Sequence, residues 1–192
     1  AIWSLRLGLY LYGRTRGSRE DQRYAALRRE WGDAHPQRLF LFLQAQALAA
    51  IPLAGAIALA ANRPGPIDAF DVAGALVLLA GVIGGAVSDW QLARFKADPG
   101  NKGRVCDEGL WSLSRHPNYF FEWLAWCAWP LIAFDIVGYP IGLFALLAPV
   151  LMYYLLVHVS GVPPLEAHME RSRPEAFAAY KARVPVFFPK LP

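Results

Sequence analysis

Charged side chains are scarce in this chain. Only 18% of its 192 residues are Asp, Glu, Lys or Arg, whereas 56% are hydrophobic. Soluble domains carry about 25% charged residues, so this composition excludes an ordinary soluble domain. The sequence also has no convincing strand-like alternation, no internal repeat and no low-complexity segment. Repeat architectures and long disordered regions are therefore excluded as well.

Cysteine and histidine are also few. Cys106 falls in a basic loop and Cys127 in an apolar run, so nothing supports a disulfide between them. The four histidines are dispersed, without the spacing of zinc ligands: His35, His116, His158 and His168. We therefore predict neither a disulfide nor a metal site.

What the sequence has instead is long apolar runs. Four of them predict complete membrane spans, at residues 39–61, 70–87, 117–134 and 141–159. Residues 2–12 resemble the end of an earlier span, and because the chain starts inside this run, we expect further helices before it. Polar, helix-forming stretches at about 19–31 and 165–183 predict surface helices. The predicted fold is a single all-α domain over residues 1–192, a polytopic transmembrane helix bundle.

The basic residues indicate how this bundle lies in the membrane. All nineteen Lys and Arg residues except Arg6 and Arg63 fall within residues 14–38, 94–115 and 171–190. The positive-inside rule places these three segments on the cytoplasmic side, and the predicted spans alternate consistently with that. The formal net charge of +4 therefore indicates a basic membrane face and no nucleic-acid partner.

One polar stretch, residues 109–122, lies between two apolar runs and carries the strongest functional signal. Arg115, His116, Asn118, Tyr119 and Glu122 fall within eight residues. If a helix starts at the intervening proline, Asn118 and Glu122 share one helical face. Polar groups at the start of a membrane helix are expensive to bury, so this stretch is a candidate site.

Further polar residues lie within or shortly before the three basic segments and join this stretch on the same predicted face. Arg and Lys suit phosphates, carboxylates suit ribose hydroxyls, and aromatic rings stack on flat bases. Together they predict a site for a large anionic nucleotide. These residues also have explanations without a ligand. Basic loops follow from membrane topology alone, tryptophans are common at the membrane interface, and His158 can be an ordinary hydrogen-bonded residue near a helix end. The candidates are Arg14, Arg16, Asp89, Lys96, Arg104, His158 and Glu166.

Ser-Arg-His-Pro-Asn-Tyr-Phe-Phe-Glu at 114–122 resembles the Arg-His-x-Asn-Tyr-x-Gly-Glu/Asp signature of membrane sterol reductases. The order Ser88-Asp89, Lys96, Asn118 and Glu122 is similar to the steroid 5α-reductase family. The tail, with Arg173-Pro174 and later Tyr180, resembles the bacterial members of that family, which are often grouped as a domain of unknown function. Two departures are Phe121, where relatives have Gly, and Lys96, where some have Arg.

This resemblance implies a seven-helix enzyme, of the bacterial inner membrane, that binds NADPH on its cytoplasmic side. It implies reduction of an enone carbon–carbon double bond in a 3-oxo-Δ4-steroid or a similar isoprenoid lipid. Asn118 and Glu122 would lie near the nicotinamide. The proton donor is unassigned, because Trp3 stands where a tyrosine is expected and only Tyr10 and Tyr12 offer substitutes. The implied cofactor-binding residues are Asp89, Lys96, Arg104, Arg115, His116, Asn118, Tyr119 and Glu122, with Arg14, Arg16, His158 and Glu166 as looser transfers.

Two other functions remain open. Membrane methyltransferases of the isoprenylcysteine or phospholipid type share an Arg-His-Pro-x-Tyr motif and a downstream Glu, and both features are present in this sequence. Their cofactor, S-adenosylmethionine, carries no phosphates, so the abundance of Arg and Lys favours the reductase. A non-catalytic scaffold or lipid-binding protein would not need carboxylates beside an Asn-Tyr pair in an apolar span. The sequence leaves the natural substrate open.

Overall fold

The computed structural model describes residues 22–190, and among them the side chains of residue 25 and residues 27–190. All regular structure in this part of the chain is helical, and it contains no strand, as the sequence predicts. The predicted helix end at 2–12 lies outside the described residues, together with Trp3, Tyr10, Tyr12, Arg14 and Arg16.

The chain divides into two compact units, residues 1–48 and 49–192. In the first unit, helix α1 (Gln22–Trp31) is followed by a short 3₁₀ turn, Gly32–Ala34, which opens with a positive φ of 50° at its glycine. Helix α2 (His35–Ala61) begins after this turn and ends in the second unit. The Trp31 ring packs against Phe42, with ring centroids 6.1 Å apart, and thereby fixes the turn between the helices.

The second unit contains the remaining helices. In chain order they are α3 (Ala69–Ala97), α4 (Pro117–Trp126), α5 (Ala128–Ile132), α6 (Leu147–Tyr154), α7 (Val162–Ser172) and α8 (Pro174–Arg183). Short 3₁₀ turns lie at Pro99–Asn101, Gly109–Ser112 and Pro140–Leu146, and one π-helical turn at Leu155–Val159. The chain therefore folds back repeatedly between α3 and α8, which is what gathers the polar loops.

A charged cap starts α3. The Asp68 carboxylate accepts hydrogen bonds from the backbone N–H groups of Phe70 and Asp71, at 2.8 and 3.2 Å. The Asp71 carboxylate in turn accepts a hydrogen bond from the Asp68 N–H at 2.9 Å. Such a capping box satisfies donors that a helix start otherwise leaves open. Arg63 pairs with both carboxylates, and its hydrogen bond lowers the pKa of Asp68 below the usual range.

Small residues let α3 approach α4 and α5 closely. A Cβ atom at Gly81 would lie 2.7 Å from Ala125, and one at Gly84 would overlap the Phe121 ring. Gly85 differs, because a Cβ there would meet only the Phe121 Cβ, at 4.0 Å. Phe121 stands where relatives in the resembled family have glycine. The space for its ring comes from Gly84 on α3, which has no side chain.

Three helical stretches of the described chain are long and apolar enough to cross a membrane: Leu27–Ala61, Ala69–Ala97 and Pro140–Ser172. The protein is accordingly an integral membrane protein. The predicted span at 117–134 is not one helix, because it breaks at Cys127 into α4 and α5. Pro130 explains the break. Its backbone nitrogen carries no hydrogen to donate to the carbonyl four residues earlier, and its ring clashes with that carbonyl.

The predicted surface helix at 165–183 is also two helices, α7 and α8. They meet at Arg173, whose backbone has φ −148° and ψ 58° and so leaves the helical region. The cause is Pro174, because a proline disfavours helical geometry in the residue before it. This break gives α8 its own direction and returns the chain towards the loop before α4.

Candidate functional site

The loop before α4 is fastened to α3 at its start. Gly109 has a positive φ of 55°, which glycine adopts without strain, and it opens the 3₁₀ turn Gly109–Ser112. The indole N–H of Trp111 donates to the Ser88 carbonyl at 2.9 Å, and the Gln91 amide oxygen accepts from the Leu110 N–H at 3.0 Å. These bonds fix where the Arg-His-Pro motif begins.

The end of the chain pairs with the same loop. The backbone N–H of Arg115 donates to the Pro185 carbonyl at 2.9 Å, and the Lys190 N–H donates to the Leu113 carbonyl at 2.9 Å. Two such main-chain bonds hold the C-terminal segment, residues 184–190, alongside the loop. The tail and the central motif of the sequence are thus parts of one structure.

Two buried hydroxyl groups add further hydrogen bonds to this loop. Ser114 is fully buried and donates to the Phe187 carbonyl at 2.8 Å, while its oxygen accepts the His116 N–H at 3.2 Å. The Tyr180 hydroxyl donates to the Trp111 carbonyl at 2.5 Å. Burial raises the pKa of Tyr180 well above its usual value, so the hydroxyl keeps its proton and remains a donor.

Glu166, on α7, contacts both Arg115 and His116 of the motif. Its carboxylate accepts from Arg115 Nε at 2.8 Å and lies 3.1 Å from His116 Nε2. Arg115 also donates to the Val184 carbonyl at 2.7 Å, and Lys181 Nζ lies 3.9 Å from the carboxylate. Through these bonds the arginine joins the loop, α7 and the C-terminal segment.

The start of α4 presents the remaining polar groups. Pro117 occupies the first helical position, where its missing N–H costs nothing. The Asn118 amide donates to Asp89 on α3 at 3.2 Å. The rings of His116 and Tyr119 stack, with centroids 5.6 Å apart and planes 9° apart. The motif thus displays an oriented amide and an oriented imidazole.

A cavity of about 520 Å³ lies against this framework. Its walls come from the end of α3, the loop after it, the Arg-His-Pro motif, α7 and α8. The apolar and aromatic part of the lining includes Leu92, Phe95, Trp111, Leu165, Met169, Phe177 and Tyr180. The polar part is Lys96, Asp98, Asn101, Lys102, Arg104, Arg115, His116, Asn118 and Arg173. The volume is in the range of small-molecule and cofactor sites.

The cavity is strongly basic. Lys96, Lys102, Arg104 and Arg173 line it, and none of them forms an ion pair with any residue that the structure describes. Asp98 is the one carboxylate in the lining. Among the described side chains, Arg173 Nε is also the one buried nitrogen or oxygen atom without a hydrogen-bond partner. Uncompensated cations around a cavity favour an anionic ligand.

Several predicted site residues come together in this cavity and others do not. Five line it: Lys96, Arg104, Arg115, His116 and Asn118. Three support those five from behind, because each contacts one of them: Asp89, Tyr119 and Glu166. Arg14 and Arg16 lie outside the described residues. The nucleotide-binding role of all ten stays a prediction.

Two predicted residues lie elsewhere. The Glu122 carboxylate accepts from the Trp126 indole at 3.0 Å and does not line the cavity. The His158 ring, in the π-helical turn, packs against Tyr153 and Tyr154 with centroids 5.8 and 5.9 Å away. Among the described residues, the contacts found for His158 are therefore these packing contacts with tyrosines at the end of α6.

Sequence reasoning passed over Lys102, Arg173 and Phe177 as site residues. Lys102 follows the turn after α3. Its place in the cavity wall depends on how the loop folds back, which the sequence does not reveal. Arg173 had a usable signal, because Arg173-Pro174 marks a helix break and such breaks redirect side chains. Phe177 is buried at 3% exposure and faces the cavity as an aromatic wall.

No group of three His, Cys, Asp or Glu side chains with the arrangement of a metal site occurs among residues 22–190. Cys106 and Cys127 are both free thiols. Burial raises the pKa of the Cys106 thiol, so it stays protonated at neutral pH and is a weak nucleophile.

The model of one protein family matches residues 1–184, and that family is described as "Protein of unknown function (DUF1295)". The match covers most of the chain, so the chain belongs to this family. No curated protein and no solved structure matches it.

Proposed function

We propose that this DUF1295 member is an NADPH-dependent reductase of the enone carbon–carbon double bond in a membrane lipid, such as a 3-oxo-Δ4-steroid or a related isoprenoid. The observation that carries the proposal is the basic cavity beside the Arg-His-Pro motif. The proposed orientation puts this cavity on the cytoplasmic side of a bacterial inner membrane, where the nucleotide is available.

The donor set of the cavity fits a phosphate-bearing dinucleotide. Lys96, Lys102, Arg104 and Arg173 supply four cations without ion-pair partners among the described residues. Phosphate oxygens are the acceptors such groups prefer, and arginine binds them at two points. The aromatic walls suit the flat rings of a nucleotide. A phosphate-bearing cofactor would therefore satisfy the open donors and the apolar lining together.

When bound, the cofactor would supply hydride, and the protein would supply orientation, charge and exclusion of water. The Asn118 amide is fixed by Asp89 and lines the cavity, so it suits pairing with the nicotinamide carboxamide. Arg115 and Glu166 would hold the motif rigid, because both side chains are almost buried and paired. A lipid substrate would reach the site along the apolar helices.

The alternative is an S-adenosylmethionine-dependent methyltransferase. One observation favours it: the Arg-His pair of the motif and the downstream Glu166, all features it shares with such enzymes, are in direct contact at 2.8 and 3.1 Å. Against it, S-adenosylmethionine has one carboxylate and no phosphate, which leaves several of the cavity's cations without an acceptor. The two candidates therefore differ in the anionic charge that the cavity should accept.

The test is ligand binding to the purified full chain in detergent, followed by single-turnover reduction of a progesterone-like enone. We expect NADPH to raise the melting temperature more than NADH or S-adenosylmethionine does, and its affinity to fall as salt is added, since salt screens exposed charges. Lys96→Gln should weaken NADPH binding. Arg94→Gln, two residues away on α3 and outside the cavity lining, is the matched control.

Three results would contradict the proposal. Binding of S-adenosylmethionine without binding of NADPH would replace it with the methyltransferase. Binding of neither would favour the scaffold or lipid-binding protein. Equal weakening by Lys96→Gln and Arg94→Gln would show that NADPH responds only to the general basic charge, and the cavity would not be its site.

A further inference from the structure

We propose that Arg173 is a direct phosphate-binding residue of the cavity, and that its guanidinium contacts a phosphate group of the bound nucleotide. This inference rests on the proposed function, because it names the group that recognises the cofactor's charge. Arg173 was not among the site residues predicted from the sequence. Its assignment comes from its place between α7 and α8 and from the state of its side-chain nitrogens.

The backbone around Arg173 is held in a single arrangement. Its N–H donates to the Met169 carbonyl at 2.8 Å and ends α7, and its carbonyl accepts from the Phe177 N–H at 2.9 Å and starts α8. Pro174 fixes the break between the two helices. The residue is therefore presented to the cavity by two helix ends, and Met169 and Phe177 line the same cavity.

The side chain of Arg173 has donors that the described part of the protein does not satisfy. Nη1 lies 3.4 Å from the Met169 sulfur, which is a weak acceptor, and Nε is buried without any partner. A guanidinium stays charged in proteins, so it cannot escape this cost by losing a proton. Arg173 lines the cavity and pairs with no carboxylate among the described residues, so its charge is available to an anion that enters the cavity.

The other cations of the cavity make a phosphate the best-suited anion. Lys102 and Arg104 line the same cavity from the loop after α3. Arg104 donates through Nη1 to the Asn101 side chain at 2.8 Å, which orients its guanidinium and leaves the other nitrogens available. Several cations at one cavity match a group with several negative oxygens better than they match a single carboxylate.

The experiment titrates the full chain with adenosine 2′,5′-bisphosphate, ADP and adenosine. The three probes share the adenosine group and differ in their phosphates, so the first two also distinguish a 2′-phosphate from a 5′-diphosphate. The variants are Arg173→Gln, which removes the charge, and Arg173→Lys, which keeps the charge but loses the planar fork. Arg171→Gln is the matched control, because Arg171 is an exposed arginine two residues earlier, outside the cavity lining.

We expect Arg173→Gln to weaken at least one phosphate-bearing probe by about tenfold or more, the effect of losing one charge-assisted contact. Arg173→Lys should lie between this variant and the parent. Adenosine binding should not change, and Arg171→Gln should stay within about twofold of the parent for every probe. Melting temperatures of all variants show whether a loss of binding is only a loss of folding.

The inference is overturned if Arg173→Gln binds both phosphate probes like the parent, if Arg171→Gln weakens them equally, or if the parent binds neither probe. These results are separable from failure of the reductase proposal. A parent that binds the phosphate probes through Arg173 but neither binds NADPH nor reduces an enone would keep the phosphate site and remove the reductase. If the parent reduces enones but its affinity for NADPH does not depend on Arg173, the reductase proposal stands and the phosphate-binding role of Arg173 is removed.

Discussion

Glu166 holds Arg115 at two points, with Oε1 2.8 Å from Nε and Oε2 3.4 Å from Nη2. The residues are 51 positions apart, and their side chains are only 13% and 11% exposed. A two-point ion pair fixes the orientation of both groups. Since Arg115 also donates to the Val184 carbonyl at 2.7 Å, this pair ties α7, the Arg-His-Pro loop and the C-terminal segment into one unit.

The first prediction concerns this pair. Glu166→Gln leaves the Arg115 guanidinium almost buried without its counter-charge, which should lower the free energy of unfolding by about 2 kcal/mol or more. The matched control is Glu170→Gln, one helical turn later. Glu170 is 54% exposed and pairs only with Lys181 among the described residues, so its loss should cost roughly 0–1 kcal/mol.

Thermal and denaturant unfolding in detergent measure the difference between the two variants. Similar costs for Glu166→Gln and Glu170→Gln would mean that the Arg115 pair contributes no more than a surface contact. In that case the loop would have to be held mainly by its main-chain bonds to the C-terminal segment.

The second prediction concerns the contact between α3 and α4. Gly84→Ala should destabilise the protein by about 1–3 kcal/mol, because its new methyl group would overlap the Phe121 ring in a packed interface. Gly85→Ala is the matched control one residue later, where a Cβ meets only the Phe121 Cβ at 4.0 Å. It should be neutral, or stabilising by up to about 1 kcal/mol from helix propensity.

A double variant checks the cause. Phe121→Ala should relieve the crowding, so Gly84→Ala should cost less in that background than in the parent. If Gly84→Ala is as harmless as Gly85→Ala, or if its cost is the same with and without Phe121, the close approach of α3 and α4 does not depend on the missing side chain.

Hydropathy was enough to predict much of the fold. The span expected at 70–87 lies within α3 (Ala69–Ala97). A long apolar run carries its own signal, since length and composition decide whether a helix can cross a bilayer. The run at 117–134 misled for a local reason: its hydropathy indicates a span, but Pro130 breaks the helix.

The candidate site was predictable only in part. The cluster around Arg115 stood out because polar groups beside an apolar run are costly. By contrast, the bonds from the Arg115 N–H to the Pro185 carbonyl and from the Lys190 N–H to the Leu113 carbonyl join main-chain groups across about seventy residues. Any residue can make a main-chain bond, so such contacts leave no pattern in a single sequence. Arg173 also reaches the cavity through the folding back of the chain, and its only local signal was the helix break that Pro174 causes.

The third prediction tests the amide in the cavity. Asn118→Ala should lower single-turnover enone reduction on the order of 10²-fold, because a misplaced nicotinamide ring reacts slowly even at a displacement of about 1 Å. The melting temperature should change little, since Asn118 makes one side-chain bond across helices, to Asp89 at 3.2 Å. Asn62→Ala is the matched control: its amide makes one bond, to the Ala58 carbonyl at 2.8 Å, and it follows the end of α2, outside the cavity lining.

A parent-like rate in Asn118→Ala would remove Asn118 from the cofactor site. Glu122→Ala, measured beside it, tests the other residue that the resemblance places near the nicotinamide. We expect its rate to fall as well, but its contact with Trp126 makes a loss of stability the competing explanation. Rate and melting temperature must therefore be measured on the same preparation.

The fourth prediction is a pH dependence centred on Tyr180. Its hydroxyl donates to the Trp111 carbonyl, and burial raises its pKa in the folded protein above the value of about 10 in an unfolded chain. Between these two values the folded state binds more protons than the unfolded state, so this group's contribution to stability falls as pH rises. At pH 8 the contribution is fully present.

Tyr180→Phe measures that contribution directly. At about pH 8 the variant should be less stable than the parent by roughly 1–3 kcal/mol, the cost of leaving a buried carbonyl without its donor. From about pH 10 upwards the gap should narrow, by up to about 1.4 kcal/mol per pH unit, because only the parent can lose stability through this tyrosine. A gap that stays constant or widens up to about pH 11 would show that folding does not raise the pKa of Tyr180. Tyr139→Phe, at a half-buried tyrosine just before the apolar stretch Pro140–Ser172 and outside this contact, controls for general effects of alkali.

The fifth prediction concerns which side of the membrane carries the basic loops. Single cysteines at Lys102 and Lys190 should be on the same side, because the Lys190 N–H bonds to the Leu113 carbonyl in the loop that borders the cavity with Lys102. A cysteine at Pro66 should be on the opposite side, since the apolar helix Ala69–Ala97 lies between them. Pro66 is exposed, whereas Arg63 is held by Asp68 and would disturb the cap of α3 if replaced.

The measurement uses a membrane-impermeant maleimide on intact cells, in a background where Cys106→Ser and Cys127→Ser remove the native thiols. Pro66→Cys should react at once, and Lys102→Cys and Lys190→Cys only after the membrane is permeabilised, as the positive-inside rule requires. Reaction of all three at the same stage would contradict a spanning α3. Reaction of the two basic sites before permeabilisation would invert the topology, and a cytoplasmic nucleotide would then have no access to the cavity.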